Sequence, residues 1–141
     1  MNNIPSKDKF HDVVKHSLQK EGWTITAHPL YLEVGGVDMY VDLAAEQVIA
    51  AERDGRQIAV EIKSFVSPSV ISEFHKALGQ FVNYRFALRA EDAGRVLYLA
   101  VPLDTYKAFF MLPFTQGVVA EQQIKLIIYD VEEEVIVEWR E

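Results

Sequence analysis

A run of six apolar residues, VLYLAV at positions 96–101, constrains the fold of this chain most strongly. A strand that is apolar at every position is typical of one buried on both faces, as in a parallel sheet covered by helices. A helical pattern precedes this run, with apolar residues at helical spacing from Ile71 to Leu88. The order helix, strands with a hairpin, helix, strand predicts an α/β domain with a central mixed β-sheet flanked by helices.

Cap and turn residues predict the other elements. Ser6 can cap a first helix that ends at Gly22, and Ser67-Pro68-Ser69 begins the second helix. Strands are expected at 23–27, 30–34, 40–52, 57–65, 124–130 and 135–140, and short helices at about 104–112 and after Pro113. No linker divides the chain, so residues 1–141 are expected to form a single domain.

Composition narrows the class of protein. Half of the 141 residues are hydrophobic and a quarter are charged, as in folded globular proteins. The absence of cysteine excludes a disulfide framework and a thiolate zinc site. The polar N-terminus and the lack of a long apolar run favour a cytoplasmic protein with no membrane partner.

The charge is unevenly distributed along the chain. The formal net charge is −7, which argues against tight binding to nucleic acid by bulk electrostatics alone. Residues 130–141 contain six acids and one base, whereas the rest contains 15 acids and 13 bases. An acidic tail on a nearly neutral body therefore permits weak binding to DNA, for which a partner would help.

A hairpin centred on Asp54-Gly55 sets the register of the second and third long strands. In that register Lys63 lies opposite Glu46, and Glu61 lies opposite Val48. Period-two alternation then places three acids and one lysine on a common face. These are Asp42, Glu46, Glu61 and Lys63.

Crowded carboxylates repel one another unless a divalent cation lies between them. Oxygen ligands suit Mg²⁺ or Mn²⁺, which can activate water and stabilise charge on a phosphate. The alternative is that these residues form the solvated face of an ordinary hairpin. The hairpin alone favours this second interpretation. If the site is catalytic, Lys63→Ala is expected to abolish catalysis and leave the fold intact, because an edge-facing lysine contributes little to packing.

The second helix adds two candidates to the site. Gln80 and Tyr84 are four residues apart and so lie on one helical face. This face can be directed along the sheet toward Glu61. Three bases on this helix, Lys76, Arg85 and Arg89, could also line one edge of a phosphate-binding cleft, although such a helix surface is ordinary.

This set resembles the PD-(D/E)XK nuclease-like superfamily, which implies a restriction-endonuclease-like domain. The resemblance makes Asp42 a metal-binding aspartate, Glu61 the second carboxylate and Lys63 the catalytic lysine, with Glu46 as a further metal ligand. Gln80 and Tyr84 match a helix motif of several branches. Many members carry a glutamate on the first helix, where this chain has His11 and Asp12.

Nearly the whole chain is similar to the XisH family, the cyanobacterial fdxN element excision controlling factors. The phrases that carry the resemblance are DLAAE at 42–46, AVEIKSF at 59–65 and ALGQ at 77–80. It implies an accessory role in the excision of a DNA element by a site-specific recombinase, together with an XisI-like protein.

Three hypotheses remain open at this stage: a metal-dependent DNA endonuclease, a non-catalytic accessory factor that uses the nuclease fold, and an interaction module for an XisI-like protein. The best supported is a nuclease-like DNA-rearrangement factor whose turnover is undecided. An interface with a partner or a second copy is also expected at the edge of the sheet, near Ile127, Tyr129, Val135 and Trp139. These four residues could equally complete the protein's own core.

Overall fold

The computed structural model describes residues 7–39 and 48–141. Its helices are α1 (Lys7–Lys20), α2 (Val70–Glu91), α3 (Leu103–Thr105) and α4 (Pro113–Glu121), with a π-helix at Tyr106–Phe110. Its strands are β1 (Thr24–Ala27), β2 (Leu32–Val34), β3 (Val37–Met39), β4 (Val48–Arg53), β5 (Arg56–Ile62), β6 (Arg95–Pro102), β7 (Leu126–Asp130) and β8 (Val135–Arg140).

Six of these strands form one mixed sheet in the order β1-β4-β5-β6-β7-β8. The central pairs β5–β6 and β6–β7 are parallel, and the outer pairs are antiparallel. Helix α1 packs on one face of the sheet, and α2 with the later helices packs on the other. The predicted α/β domain with a helix-flanked mixed sheet is therefore confirmed.

The β4–β5 hairpin has the predicted register. Val48 pairs with Glu61, and Arg53 pairs with Arg56 across the turn. Asp54 and Gly55 both have positive φ angles, of 50° and 78°, which suits the twist of a two-residue hairpin. The predicted pair of Lys63 with Glu46 cannot be compared, because residues 40–47 lie outside the described residues.

Strands β2 and β3 form a small hairpin that the sequence pattern did not predict. Gly35 and Gly36 have φ angles of 59° and 84°, so this dipeptide is a hairpin turn and not merely an interruption of the chain. Leu32 packs into the same core as α2. The hairpin thus helps to cover the α2 face of the sheet.

The C-terminal edge of the sheet differs from the expectation. Ile127 and Tyr129 are fully buried in β7, because β8 pairs with β7 and forms the edge itself. Trp139 stacks on Trp23 at 5.7 Å between ring centroids and so completes the core. Of the two alternatives, completion of the protein's own core therefore holds for Ile127, Tyr129 and Trp139, whereas Val135 is exposed at the edge.

The segment after β6 is more helical than expected. The predicted helix at 104–112 is a helical turn followed by a π-helix, in which Met111 N donates to Tyr106 O at 3.1 Å. Helix α4 has nine residues, more than the two turns expected after Pro113. In the described part of the chain, no helix is both long and apolar enough to cross a bilayer.

Candidate active site

The candidate site lies where β5 ends under α2. Alternation along β5 divides its side chains between the two faces of the sheet. Ile58, Val60 and Ile62 pack with α1, whereas Ala59 packs with α2. Glu61 shares the face of Ala59, so its carboxylate points to the α2 side.

Both charged residues at the end of β5 are almost completely buried. The exposed fraction is 1% for Glu61 and 2% for Lys63. The solvated-face interpretation is therefore wrong for Glu61 and Lys63, because α2 and the β2–β3 hairpin cover this face of the sheet. The expectation that Lys63 contributes little to packing is wrong for the same reason.

The buried charges are paired and held by α2. Lys63 Nζ lies 3.7 Å from Glu61 Oε2 and donates a hydrogen bond to Gln80 Oε1. The helix thus brings its predicted residue Gln80 directly to the predicted lysine. Ser69 begins α2 by accepting a hydrogen bond from Ser72 N, as predicted, and so fixes the phase of the helix.

Tyr84 lies one turn further along α2 and is also buried. Burial, and to a lesser extent the nearby charge of Glu61, raise the pKa of Tyr84 to about 12. The phenol therefore remains neutral at pH 7 and can donate a hydrogen bond. The structure thus brings together Glu61, Lys63, Gln80 and Tyr84, which we call the β5 site.

The backbone of Lys63 is held from two directions. Its N–H donates to Ala100 O at 3.1 Å, and its carbonyl accepts a hydrogen bond of 2.9 Å from the Tyr129 hydroxyl. Sequence reasoning missed this role of Tyr129. A signal was present, because a tyrosine in an apolar buried strand needs a partner for its hydroxyl.

The chain leaves the sheet immediately after the β5 site. Phe65 has a φ angle of 55°, a left-handed conformation that bulky residues rarely adopt. Its ring packs edge-on against Phe110 at 5.7 Å, which holds this conformation. Backbone strain of this kind is frequent beside functional sites.

The first-helix candidates differ in their placement. His11 is buried, and its ring lies 6.3 Å from that of the exposed His28. Asp12 is exposed on α1. The structure therefore does not bring the carboxylate of Asp12 into the buried cluster with Glu61.

The donor set for a metal ion is only partly within the described residues. Glu61 supplies a buried carboxylate, whereas Asp42 and Glu46 lie outside the described residues. Within residues 7–39 and 48–141, no three His, Asp or Glu side chains are grouped so that they could hold a metal ion. Glu61 is a suitable hard oxygen donor, and the site needs further ligands to complete a coordination shell.

The buried pair is costly for a purely structural feature. Removing a carboxylate and an ammonium from water costs several kcal/mol each, and apolar residues in their place are often as stable or more so. Buried charged groups with specific partners, close to a strand end, are typical of functional sites. In chemical terms, the Lys63 ammonium suits an anionic group and the Glu61 carboxylate suits a cation.

The chain is similar in sequence and in fold to known proteins. The family model described as XisH protein matches residues 4–137. No curated protein matches the chain. Two crystal structures are very similar to it over 95% of its length, each with a TM-score of 0.89.

One is an XisH family protein from Nostoc punctiforme PCC 73102, which is 57% identical and fully covered by the match. The other is described as a fdxN element excision controlling factor protein from Anabaena variabilis; it is 56% identical, and the match covers 99% of it. The chain shares its sequence, fold and nearly its whole length with these relatives and belongs to the XisH family.

Proposed function

We propose that the chain is a nuclease-like factor in programmed excision of a DNA element, and that its β5 site hydrolyses DNA phosphodiester bonds. The observation that carries the proposal is the buried contact of Lys63 with both Glu61 and Gln80. Similarity to the Anabaena variabilis protein supports the link to excision, because that protein is described as an excision controlling factor.

We further propose a restriction-endonuclease-like fold of the PD-(D/E)XK superfamily. The element order supports it: α1, antiparallel strands, the β4–β5 hairpin, α2 and the parallel strand β6. Residues 61–63 (EIK) also stand at the end of a central strand beside a helix that carries Gln80 and Tyr84. Asp42 would complete the superfamily's set.

Each residue of the β5 site has a separate role in this proposal. Glu61, with Asp42 or Glu46, would hold Mg²⁺ or Mn²⁺, which supplies Lewis-acid chemistry and an activated water when bound. The Lys63 ammonium donates hydrogen bonds to a non-bridging phosphate oxygen and stabilises the charge that develops there. Gln80 orients this ammonium, and Tyr84 can donate a hydrogen bond from its neutral phenol.

The reaction is a hydrolysis. A water oxygen forms a bond to phosphorus while the bond from phosphorus to the leaving sugar oxygen breaks. One proton leaves the attacking water, and one proton is taken up by the leaving oxygen.

Calorimetry with Mn²⁺ tests the metal-binding part of the proposal. We expect one site in the wild type and its loss in Glu61→Gln. The matched control is Glu91→Gln, which alters an exposed glutamate at the end of α2. Equal Mn²⁺ binding by the wild type and Glu61→Gln would remove the metal from the proposal.

Cleavage assays test the hydrolytic part. Supercoiled plasmid and branched DNA are incubated with Mg²⁺ or Mn²⁺, with and without an XisI-like protein. We expect cleavage by the wild type and by Lys107→Ala, which alters an exposed lysine of the π-helix. We expect none by Lys63→Ala at a temperature where circular dichroism shows this variant to be folded, and cleavage that persists in it would assign the activity to another site or a contaminant.

A second candidate is a non-catalytic module that acts in complex with an XisI-like protein. The net charge of −7 favours it, because an acidic protein needs help to approach DNA. The edge strand β8 offers a contact surface, with Val135 37% and Val137 49% exposed. A register shift in its pairing with β7 and the charges of Glu138 and Arg140 favour side-chain docking over strand addition.

Light scattering, alone and with an XisI-like protein, tests this interface. We expect a complex or a homo-oligomer that is weakened by Val137→Ser. The control is Val37→Ser, which alters an equally exposed valine of the β2–β3 hairpin. A protein that stays monomeric and does not bind the XisI-like protein at micromolar concentration would contradict the proposal.

A further inference from the structure

We propose that a basic groove on the far flank of α2 binds the phosphodiester backbone of nucleic acid, separately from the β5 site. Five basic residues form this groove: Arg85, Arg89, Arg95, Lys125 and Arg140. The inference rests on the proposed function only in assuming that the protein acts on DNA. It does not require the β5 site to cleave.

The groove consists of two adjoining cavities. The larger, of about 580 Å³, is lined by Arg85, Lys125 and Arg140 together with one acid, Glu141. The smaller, of about 150 Å³, is lined by Arg85, Arg89, Arg95 and Lys125 and by no acid. Because Arg85, Gln123 and Lys125 line both, the cavities form one continuous surface.

Charge is strongly segregated at this surface. Five of the chain's 14 bases line the groove, but only one of its 21 acids does so. A basic patch on an otherwise acidic protein is the electrostatic signature expected for a phosphate-binding surface. Since the rest of the chain repels a polyanion, the patch also sets the side from which nucleic acid would approach.

The groove bases differ in how far their charge is already compensated. Arg95 lies 2.8 Å from Asp92, and Arg140 lies 2.8 Å from Glu138. Arg89 and Lys125, by contrast, have no carboxylate within 4 Å in the described part of the chain. These two bases can therefore contact phosphates without first breaking an ion pair.

Arg85 is held in place by neutral partners. Its Nη1 donates to Gln122 O at 2.6 Å, and its guanidinium lies over the Phe81 ring at 5.4 Å. Carbonyl and aromatic partners orient the side chain without cancelling its charge. Arg85 is thus a fixed cation at the junction of the two cavities.

Fluorescence anisotropy with a short double-stranded oligonucleotide, in EDTA, tests the proposal. We expect a Kd of about 10⁻⁴ M or tighter at low salt, weakened by added salt. The variant Arg89→Gln/Lys125→Gln should bind more weakly and reduce the slope of log K against log salt by about 2. The control Lys15→Gln/Lys107→Gln makes the same charge change elsewhere and should keep the slope.

Competition distinguishes the source of the anion. Inorganic triphosphate and a polyglutamate peptide are added at equal charge to the labelled duplex. Weaker competition by both than by unlabelled duplex would support the proposal. Three results would overturn it: no binding of the duplex, an equal loss of duplex binding in the two double variants, or tighter binding of polyglutamate than of the duplex.

Comparing this binding assay in EDTA with the cleavage assay in Mn²⁺ separates this inference from hydrolysis. Groove binding should be present in EDTA even if the protein never cleaves DNA. A failed cleavage assay with retained, groove-dependent binding would contradict the proposed hydrolysis alone.

Discussion

The two flanks of α2 adjoin charged side chains in opposite environments. Gln80 and Tyr84 face the β5 site, whereas Arg85 and Arg89, each five residues later, lie about 140° further around the helix. On the first flank a lysine and a glutamate are buried and paired; on the second, bases line open cavities. Because the charges on the first flank are buried, loss of either partner should lower the stability of the fold. The bases on the second flank line open cavities and can attract anions.

The largest effect is expected from breaking the buried pair. Lys63→Met removes the ammonium beside a buried carboxylate and should lower the free energy of unfolding by about 3–5 kcal/mol. Urea denaturation followed by circular dichroism measures this loss. The control Lys107→Met should leave the unfolding free energy nearly unchanged, and a similar result for Lys63→Met would show that the pair is not buried in solution.

Removing both charges should restore much of the stability. In Glu61→Leu/Lys63→Met, apolar side chains replace the pair, and such replacements are often neutral or stabilising. We expect the double variant to be more stable than Lys63→Met by about 1–3 kcal/mol. Strictly additive losses in the same denaturation experiment would argue against direct coupling of Glu61 with Lys63.

A smaller loss of stability is expected when the hydrogen bond that holds the Lys63 backbone is removed. Tyr129→Phe removes the buried hydroxyl that donates to the Lys63 carbonyl and should cost about 1–2 kcal/mol. Tyr106→Phe is the control, because Tyr106 is a buried residue whose hydroxyl forms no hydrogen bond within the described residues. Thermal unfolding of both variants would show whether the loss is specific to Tyr129.

Tyrosine titration compares the β5 site with another part of the sheet. The pKa of Tyr84 is raised to about 12, so its contribution to stability is complete below pH 10 and is lost as pH rises through 12. Near-ultraviolet absorbance should show that Glu61→Gln lowers the pKa of Tyr84. Glu141→Gln should instead lower the pKa of Tyr98, which burial and a hydrogen bond to Glu141 raise to about 12.

The smallest effect on stability is expected in the basic groove. Arg89 is exposed, Lys125 is half-buried, and neither forms an ion pair in the described part of the chain. Arg89→Gln/Lys125→Gln should therefore leave the urea midpoint close to that of the wild type. A large shift would mean that these bases support the fold and that their loss of binding is indirect.

Local sequence signals were sufficient for several elements. The Asp54-Gly55 turn fixed the register that pairs Val48 with Glu61, since a two-residue turn leaves one pairing. The four-residue spacing of Gln80 and Tyr84 predicted their common face, and Gln80 does reach Lys63. Both predictions depend only on periodicities within one hairpin or one helix.

Long-range packing could not be predicted in the same way. Alternation in β5 is the same whether water or a helix covers the charged face, so the burial of Glu61 and Lys63 was not evident. The order of the strands was also not evident, so the edge and core alternatives for Tyr129 could not be distinguished, although β8 pairs with β7 and Tyr129 is buried. The basic groove combines residues from α2, β6, the segment before β7, and β8. Because these segments are distant in sequence, the pattern within any one of them does not predict the groove.

Steady-state cleavage of an oligonucleotide duplex with Mn²⁺ tests the central claim most directly. The claim is that the β5 site on one flank of α2 carries out hydrolysis, whereas the basic groove on the other flank binds the duplex. We predict that Lys63→Ala loses kcat and still binds the duplex, whereas Arg89→Gln/Lys125→Gln raises KM and keeps kcat close to that of the wild type. An undiminished kcat in Lys63→Ala would contradict this claim, and so would the same changes in kcat and KM in Lys63→Ala and in Arg89→Gln/Lys125→Gln.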